Sequence, residues 1–354
     1  NKTKQNKTKQ NKTKQNGRFS MKSPVIIFTH LLVTALTFLT IPPIFANDDE
    51  ALILSRDNQL FQLNPETIEE ISRQPDEHGS KVIAFDAVNQ TTWRYGLGIL
   101  TVTALNGDEL FSVEVPLDNN PIEQKLIQYE KRSNQQKNKL KMPYELFRKN
   151  SFLIVVPDKQ RVFLALGNQL YLYDLQAKLI TTVEMKTSVR GMVRDNTRQL
   201  IWIANKKHIF KVDDEGVKSP SAFNAIHTRI IDIAYDESLD QLWVAGNGLT
   251  RYTMDGKLQS RHRHYYLQRI LSDHQGNLWG VNWFSLFRYA VDQDKATQQC
   301  KIKRNGRLLD MVVMPSNDGL WAANHSTITQ YNSDCEKIQN ERYPRNEKPI
   351  KALA

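Results

Sequence analysis

From Lys81 to Asn340, short apolar stretches alternate with polar turns, and the whole pattern returns about every 40 residues. The clearest copies are Ile230 to Arg261 (IIDIAYDESLDQLWVAGNGLTRYTMDGKLQSR) and Leu267 to Lys295 (LQRILSDHQGNLWGVNWFSLFRYAVDQDK). In both, an apolar strand ends in an acidic turn, a Leu-Trp strand follows, and after a tight turn an alternating Arg-Tyr strand runs into a polar turn. Val189 to Lys218 and Leu308 to Lys337 keep this order, and Phe152 to Glu184 and Lys81 to Val115 follow it more loosely. Alternation over such short stretches predicts strands rather than helices.

The second strands carry Trp93, Phe163, Trp202, Trp243, Trp279 and Trp321. After Phe163 these aromatics lie 36 to 42 residues apart, whereas 70 residues separate Trp93 from Phe163, which announces an insertion. Asn58, Asn168, Asn205, Asn247, Asn282 and Asn324 recur in the next turn, where Asn is expected to take the left-handed conformation of a tight hairpin. Asp86, Asp195, Asp236 and Asp273 recur before the Trp strand and read as turn caps, not catalytic carboxylates. The Trp column reads as core between neighbouring units.

Four short strands at this period define the blade of a β-propeller. Ala51 to Thr67 resembles the second and third strands of a further blade, and Pro349 to Ala354 (PIKALA) has the apolar profile of the missing first strand. Pairing the two ends would close the ring and leave no open seam. The expected fold is therefore all-β: a seven-bladed β-propeller over 47–354, closed by its C-terminal strand, with a partly helical insertion at 118–150.

The first sixteen residues repeat NKTKQ three times and end on Asn16, a composition that builds no core. Residues 1–20 read as non-native or disordered sequence ahead of a start at Met21; a basic tail for acidic polymers is the alternative. Lys22, the apolar run Val25 to Ile41 and Ala46 read as a secretory signal peptide over 21–46. That predicts a periplasmic or secreted product with no stable membrane anchor after cleavage.

The net charge of +10 changes meaning once this segment is set aside. Residues 1–46 hold eight of the 48 Lys and Arg and none of the 38 Asp and Glu, leaving 40 bases against 38 acids. Nucleic acid is not an expected partner at that balance. Cys300 and Cys335, the only cysteines, lie near the ends of successive repeats and are candidates for one disulfide between outer strands of adjacent blades.

Candidate binding chemistry lies in the insertion and the turns. The insertion carries eight Lys and Arg against four acids, among them Lys137, Lys139 and Lys141, and a helix is expected to start after Pro121. It joins an outer strand to the next inner strand, so it should open on the face of the Asn turns. Arg56, Arg94, Tyr95, Lys206, Lys207, His208, Trp283 and His325 are expected there as well, together favouring an anionic small ligand or an acidic partner surface. His262 and His264 share a strand face, but two imidazoles flanked by Arg261 and Arg263 make no metal site, and none is expected. No cofactor motif, nucleophile elbow, phosphate loop or zinc-protease helix is present.

The phrases DHQGNLWGVNWFSLFRYAVD and DESLDQLWVAGNGLTRYTMDGK resemble the periplasmic propeller repeats of hybrid two-component regulators, and related patterns occur in streptogramin-lyase-like propellers. The resemblance covers best the repeats containing Trp202, Trp243, Trp279 and Trp321, and implies the propeller fold. The chain lacks the kinase portions of those regulators. A non-catalytic ligand-binding or protein-interaction propeller is the expectation; the alternative is a lyase or lactonase-like hydrolase at the channel mouth.

Overall fold

In the computed structural model the chain divides into two units, Asn1–Ala46 and Asn47–Ala354, and every described residue belongs to the second. The described residues are 52–56, 58–65, 69–135, 151–220, 222–226, 229–262, 266–273, 275–282, 285–292, 295–303, 308–314, 318–324, 326–342 and 352–354. The expected signal peptide and NKTKQ repeat lie outside them.

Seven four-stranded antiparallel sheets form the blades of a β-propeller. Blade 1 runs from strand Val82–Asp86 to Glu109–Glu114, blade 2 from Ser151–Val156 to Leu179–Glu184, and blade 3 from Gly191–Asp195 to Phe223–Asn224. Blade 4 spans Asp232–Asp236 to Leu258–His262, blade 5 Arg269–Ser272 to Lys295–Lys303, and blade 6 Leu308–Val313 to Lys337–Arg342. Blade 7 is composite: Ala352–Leu353 pairs with Leu52–Arg56, and Gln59–Leu63 and Glu70–Pro75 complete the sheet. Ile53 and Ala354 exchange both backbone hydrogen bonds, at 2.7 and 3.0 Å. Of the expected closing segment PIKALA, Ala352–Leu353 form a strand, and 349–351 lie outside the described residues.

The apolar core divides into seven clusters, one at each seam between blades. Each second-strand aromatic reaches forward: Trp243 packs with Ile270, Leu278 and Tyr289 of blade 5, and Trp279 with Met311 and Leu320 of blade 6. A cation from the third strand covers several of these rings, with Lys211, Arg251 and Arg288 at 4.9, 5.5 and 5.6 Å from Trp202, Trp243 and Trp279. This accounts for the basic residue in the repeating Arg-Tyr strand. The Tyr that follows marks a register shift against the outer strand at Tyr173, Tyr252, Tyr289 and Tyr331, a bulge that bends that strand.

Where the other blades place an aromatic, blade 7 has Ile53, opposite Gln62 just as Trp243 is opposite Arg251. The seam between blades 7 and 1 accordingly has the smallest cluster, Ile53, Leu60 and Ile83 with Ala354 against them. A buried polar set reinforces it: Asp76 accepts from Ser55 Oγ at 2.7 Å, Ser80 N at 2.7 Å and Arg94 Nη1 at 3.2 Å.

The Asp column caps turns as its spacing predicts. Asp195 Oδ1 accepts from Arg198 N, Asp236 Oδ1 from Leu239 N and Asp273 Oδ1 from Asn277 N, while Asp195 and Asp236 also take the indole N–H of Trp202 and Trp243. The Asn column differs from expectation. Only Asn58 has positive φ among the described members; Asn205, Asn282 and Asn324 instead accept the N–H two or three residues on, at 2.8 to 3.2 Å. The side-chain oxygen, not backbone tolerance, makes these turns.

Candidate functional site

Antiparallel order places the second-to-third-strand turns and the blade-to-blade connections at one end of the ring, and the other turns at the opposite end. Helix α1, Pro121–Gln135, sits in the connection from blade 1 to blade 2 and identifies the first end as the helix face. Asn120 caps it, its Oδ1 accepting from Glu123 N at 3.2 Å, with Pro121 in the first helical position. The cap is also tied downward, since Asn120 Nδ2 donates to Leu166 O at 2.8 Å. A Cβ on Gly167, whose φ is +56°, would come within 3.1 Å of the Asn120 oxygen.

Glu123 lies buried beneath the helix, accepting from Lys81 Nζ with both oxygens at 2.8 Å and from the Tyr95 hydroxyl at 3.0 Å. Leu126 is buried beside it. Burial pushes the nearby Tyr171 hydroxyl above its ordinary range, opposed by a hydrogen bond with Asn120. The first turns of the insertion are thus part of the folded propeller rather than a solvated excursion. Lys137, Lys139 and Lys141 lie outside the described residues, as do Trp283, His325 and His264.

The expected surface residues separate into two groups. Arg94 and Tyr95 turn inward, Arg94 to Asp76 at the blade 7–1 seam and Tyr95 to Glu123, each less than a tenth exposed. Lys206 and His208 stand exposed with Lys207 in the blade 3 turn. This turn is firmly placed: Ile230 N donates to Lys206 O at 2.8 Å, Ala225 N to Lys207 O at 3.2 Å, and His208 Nδ1 meets Asn224 Oδ1 at 2.5 Å. Half-buried His262 on the blade 4 outer strand is held below the ordinary imidazole range by burial, then by Arg251. No group of three or more His, Cys, Asp or Glu among the described residues is placed to hold a metal ion.

Turn chemistry sorts charge between the two faces. Opposite the helix, the recurring Asp caps are joined by Asp174 and Asp213, each accepting two backbone N–H groups of its own turn. On the helix face, turns are made by Asn and Gly. From Glu184 to Lys303 its turns, connections and adjoining strand ends expose Lys186, Lys206, Lys207, Arg261, Lys301 and Lys303 against Glu184 as the exposed acidic side chain among the described residues, while the rest of this face also exposes Glu77, Glu114, Asp118 and Glu341. Asp232, on that stretch, is buried and accepts from Ile233 N and Ile270 N. Asp310 is likewise buried, ion-paired to Arg269 on the neighbouring inner strand. Lys206 and Lys207 were expected on this face from the sequence; Lys186, Arg261, Lys301 and Lys303 were not, and assigning each charge to its turn class would have shown them.

Cys300 on the blade 5 outer strand is disulfide-bonded to Cys335 in the third-to-outer turn of blade 6, with Cα atoms 6.3 Å apart. Arg288 bridges the same seam, donating to Asp273 Oδ2 and Ser333 O at 2.7 and 2.6 Å.

No family model matches the chain, and no curated protein matches it. Solved structures do. A functionally unknown protein from Desulfotomaculum acetoxidans is 12% identical, with a TM-score of 0.64 over 86% of this chain and 98% of that one. Kluyveromyces lactis Hsv2 is 11% identical, with a TM-score of 0.57 over 84% of this chain and 97% of that one. The dihydro-heme d1 dehydrogenase NirN, in complex with DHE, is 14% identical, with a TM-score of 0.57 over 88% of this chain and 67% of that one. At these identities the likeness is one of fold: the protein is a seven-bladed β-propeller.

Proposed function

We propose that this protein is an exported, non-catalytic recognition propeller that captures an anionic ligand or an acidic partner surface on its helix face. The observation that carries the reading is the sorting of charge. In blades 3 to 5 of a nearly neutral 47–354 chain the capping carboxylates lie at one end and an arc of exposed bases at the other, a field that steers anions to that sector of the helix face. Export is supported by the apolar run Val25 to Ile41 ending near Ala46, and by a disulfide, a bond that persists in oxidising compartments.

NirN shows that the fold also hosts an enzyme. A lyase or lactonase-like activity would need carboxylates or imidazoles free to exchange protons at one mouth. Of the inner-strand carboxylates described above, Asp310 is neutralised by Arg269, and Asp232 accepts two backbone N–H groups. Both carboxylates are thus already engaged by partners within the fold.

The test compares two double variants of equal net charge on a sulfated-polysaccharide column. Lys206→Glu with Lys207→Glu should elute at markedly lower salt than wild type. Lys178→Glu with Lys257→Glu, on the opposite face, should elute closer to wild type. Equal losses in both would remove the assignment to the helix face.

A further inference from the structure

We infer that the blade 3 to blade 5 sector of the helix face docks on an anionic lipid surface. This deepens, and rests on, the reading of that face as anion-binding. Beyond its bases, the sector exposes two large apolar side chains. Ile226, in the connection from blade 3 to blade 4, is 43% exposed, and Tyr266, in the connection from blade 4 to blade 5, is 63% exposed.

Both stand on backbone that is pinned from beneath. Ile226 N donates to the Tyr252 hydroxyl at 2.9 Å, and the preceding residue, Ala225, donates to Lys207 O. Immediately after Tyr266, Leu267 is buried in the seam with Trp243 and Leu278, and Gln268 N donates to Val281 O at 2.6 Å. Neighbouring side chains therefore fill the core while Ile226 and Tyr266 face outward.

Bases accompany these tips. Lys206 and Lys207 occupy the turn hydrogen-bonded to the Ile226 connection, Arg261 is the next-to-last residue of the strand leading toward Tyr266, and Lys301 and Lys303 lie at the end of the next outer strand. A bilayer boundary matches that order. Lysines meet phosphates at an anionic surface, while aliphatic and tyrosine side chains enter the layer beneath. A soluble polyanion or an acidic protein would satisfy the bases but gives outward Ile and Tyr no apolar layer to enter. Val88 and Val217, exposed apolar residues of turns, lie on the opposite face, Val217 beside exposed Glu215, while Ile122 stands on the helix face outside this sector.

Residues 47–354, which hold all seven sheets and their seams, should co-sediment with vesicles of phosphatidylglycerol and phosphatidylcholine but not with phosphatidylcholine alone. Lys206→Glu with Lys207→Glu should cut partitioning about tenfold or more. Ile226→Ser with Tyr266→Ser should cut it severalfold while leaving retention on sulfated polysaccharide and the melting temperature unchanged. Failure to bind the anionic vesicles, or binding indifferent to Ile226 and Tyr266, overturns the inference. If polysaccharide retention still depends on Lys206 and Lys207, the partner is a soluble polyanion or acidic protein; if it does not, the anion-binding reading falls as well.

Discussion

At the scale of single residues, what a side chain does here is decided by which turn or seam it occupies. Arg198 illustrates the face opposite the helix: it grips Asp240 of the next blade with both guanidinium nitrogens, at 2.6 and 2.5 Å, and reaches Asp195 as well. The guanidinium, and then the Tyr235 hydroxyl, hold the Asp240 carboxyl below its ordinary range. A depressed folded value contributes stability that is complete above the unfolded value, about 3.9, and is lost as pH falls through the folded one. Urea midpoints of wild type should therefore exceed those of Arg198→Ala at pH 6, and the gap should narrow below pH 4; a constant gap would mean the pair carries no pH-dependent stability. The Trp and Asp columns were legible in the sequence because local turn and seam geometry dictate them. Arg94 and Tyr95 were not, because their partners Asp76 and Glu123 lie 18 and 28 residues away, in connections that do not repeat.

Elements follow the same division. Blades could be read from the chain because each repeats one pattern of apolar alternation and punctuation. Helix α1 was legible as a helix starting at Pro121, but its anchoring was not, since Glu123 meets Lys81 and Tyr95 of blade 1, 42 and 28 residues earlier in the chain. The blade 7–1 seam is where the ring depends most on a small element. Ile53 replaces an aromatic, the apolar cluster is the smallest, and Ala352–Leu353 supplies the inner strand. Removing 349–354 should expose the edge of Leu52–Arg56 and lower the melting temperature of the whole domain in one transition, with loss of solubility. An unchanged melting temperature would show that the ring closes without this strand.

At the scale of the whole molecule, composition concealed the property that matters. Forty bases against 38 acids in 47–354 is close to balance, yet in blades 3 to 5 Asp caps the turns at one end while Asn and Gly shape turns at the other, beside exposed bases. Fold and polarity thus share one origin, because the residue types that fix the strand connections also fix the field. Hydrogen–deuterium exchange of residues 47–354, with and without a soluble sulfated polysaccharide, tests this most directly. Exchange should slow at 205–209, 225–231 and 262–268 and stay unchanged in the Asp-capped turns at 195–199, 236–240 and 273–277. Protection confined to those Asp-capped turns would contradict it.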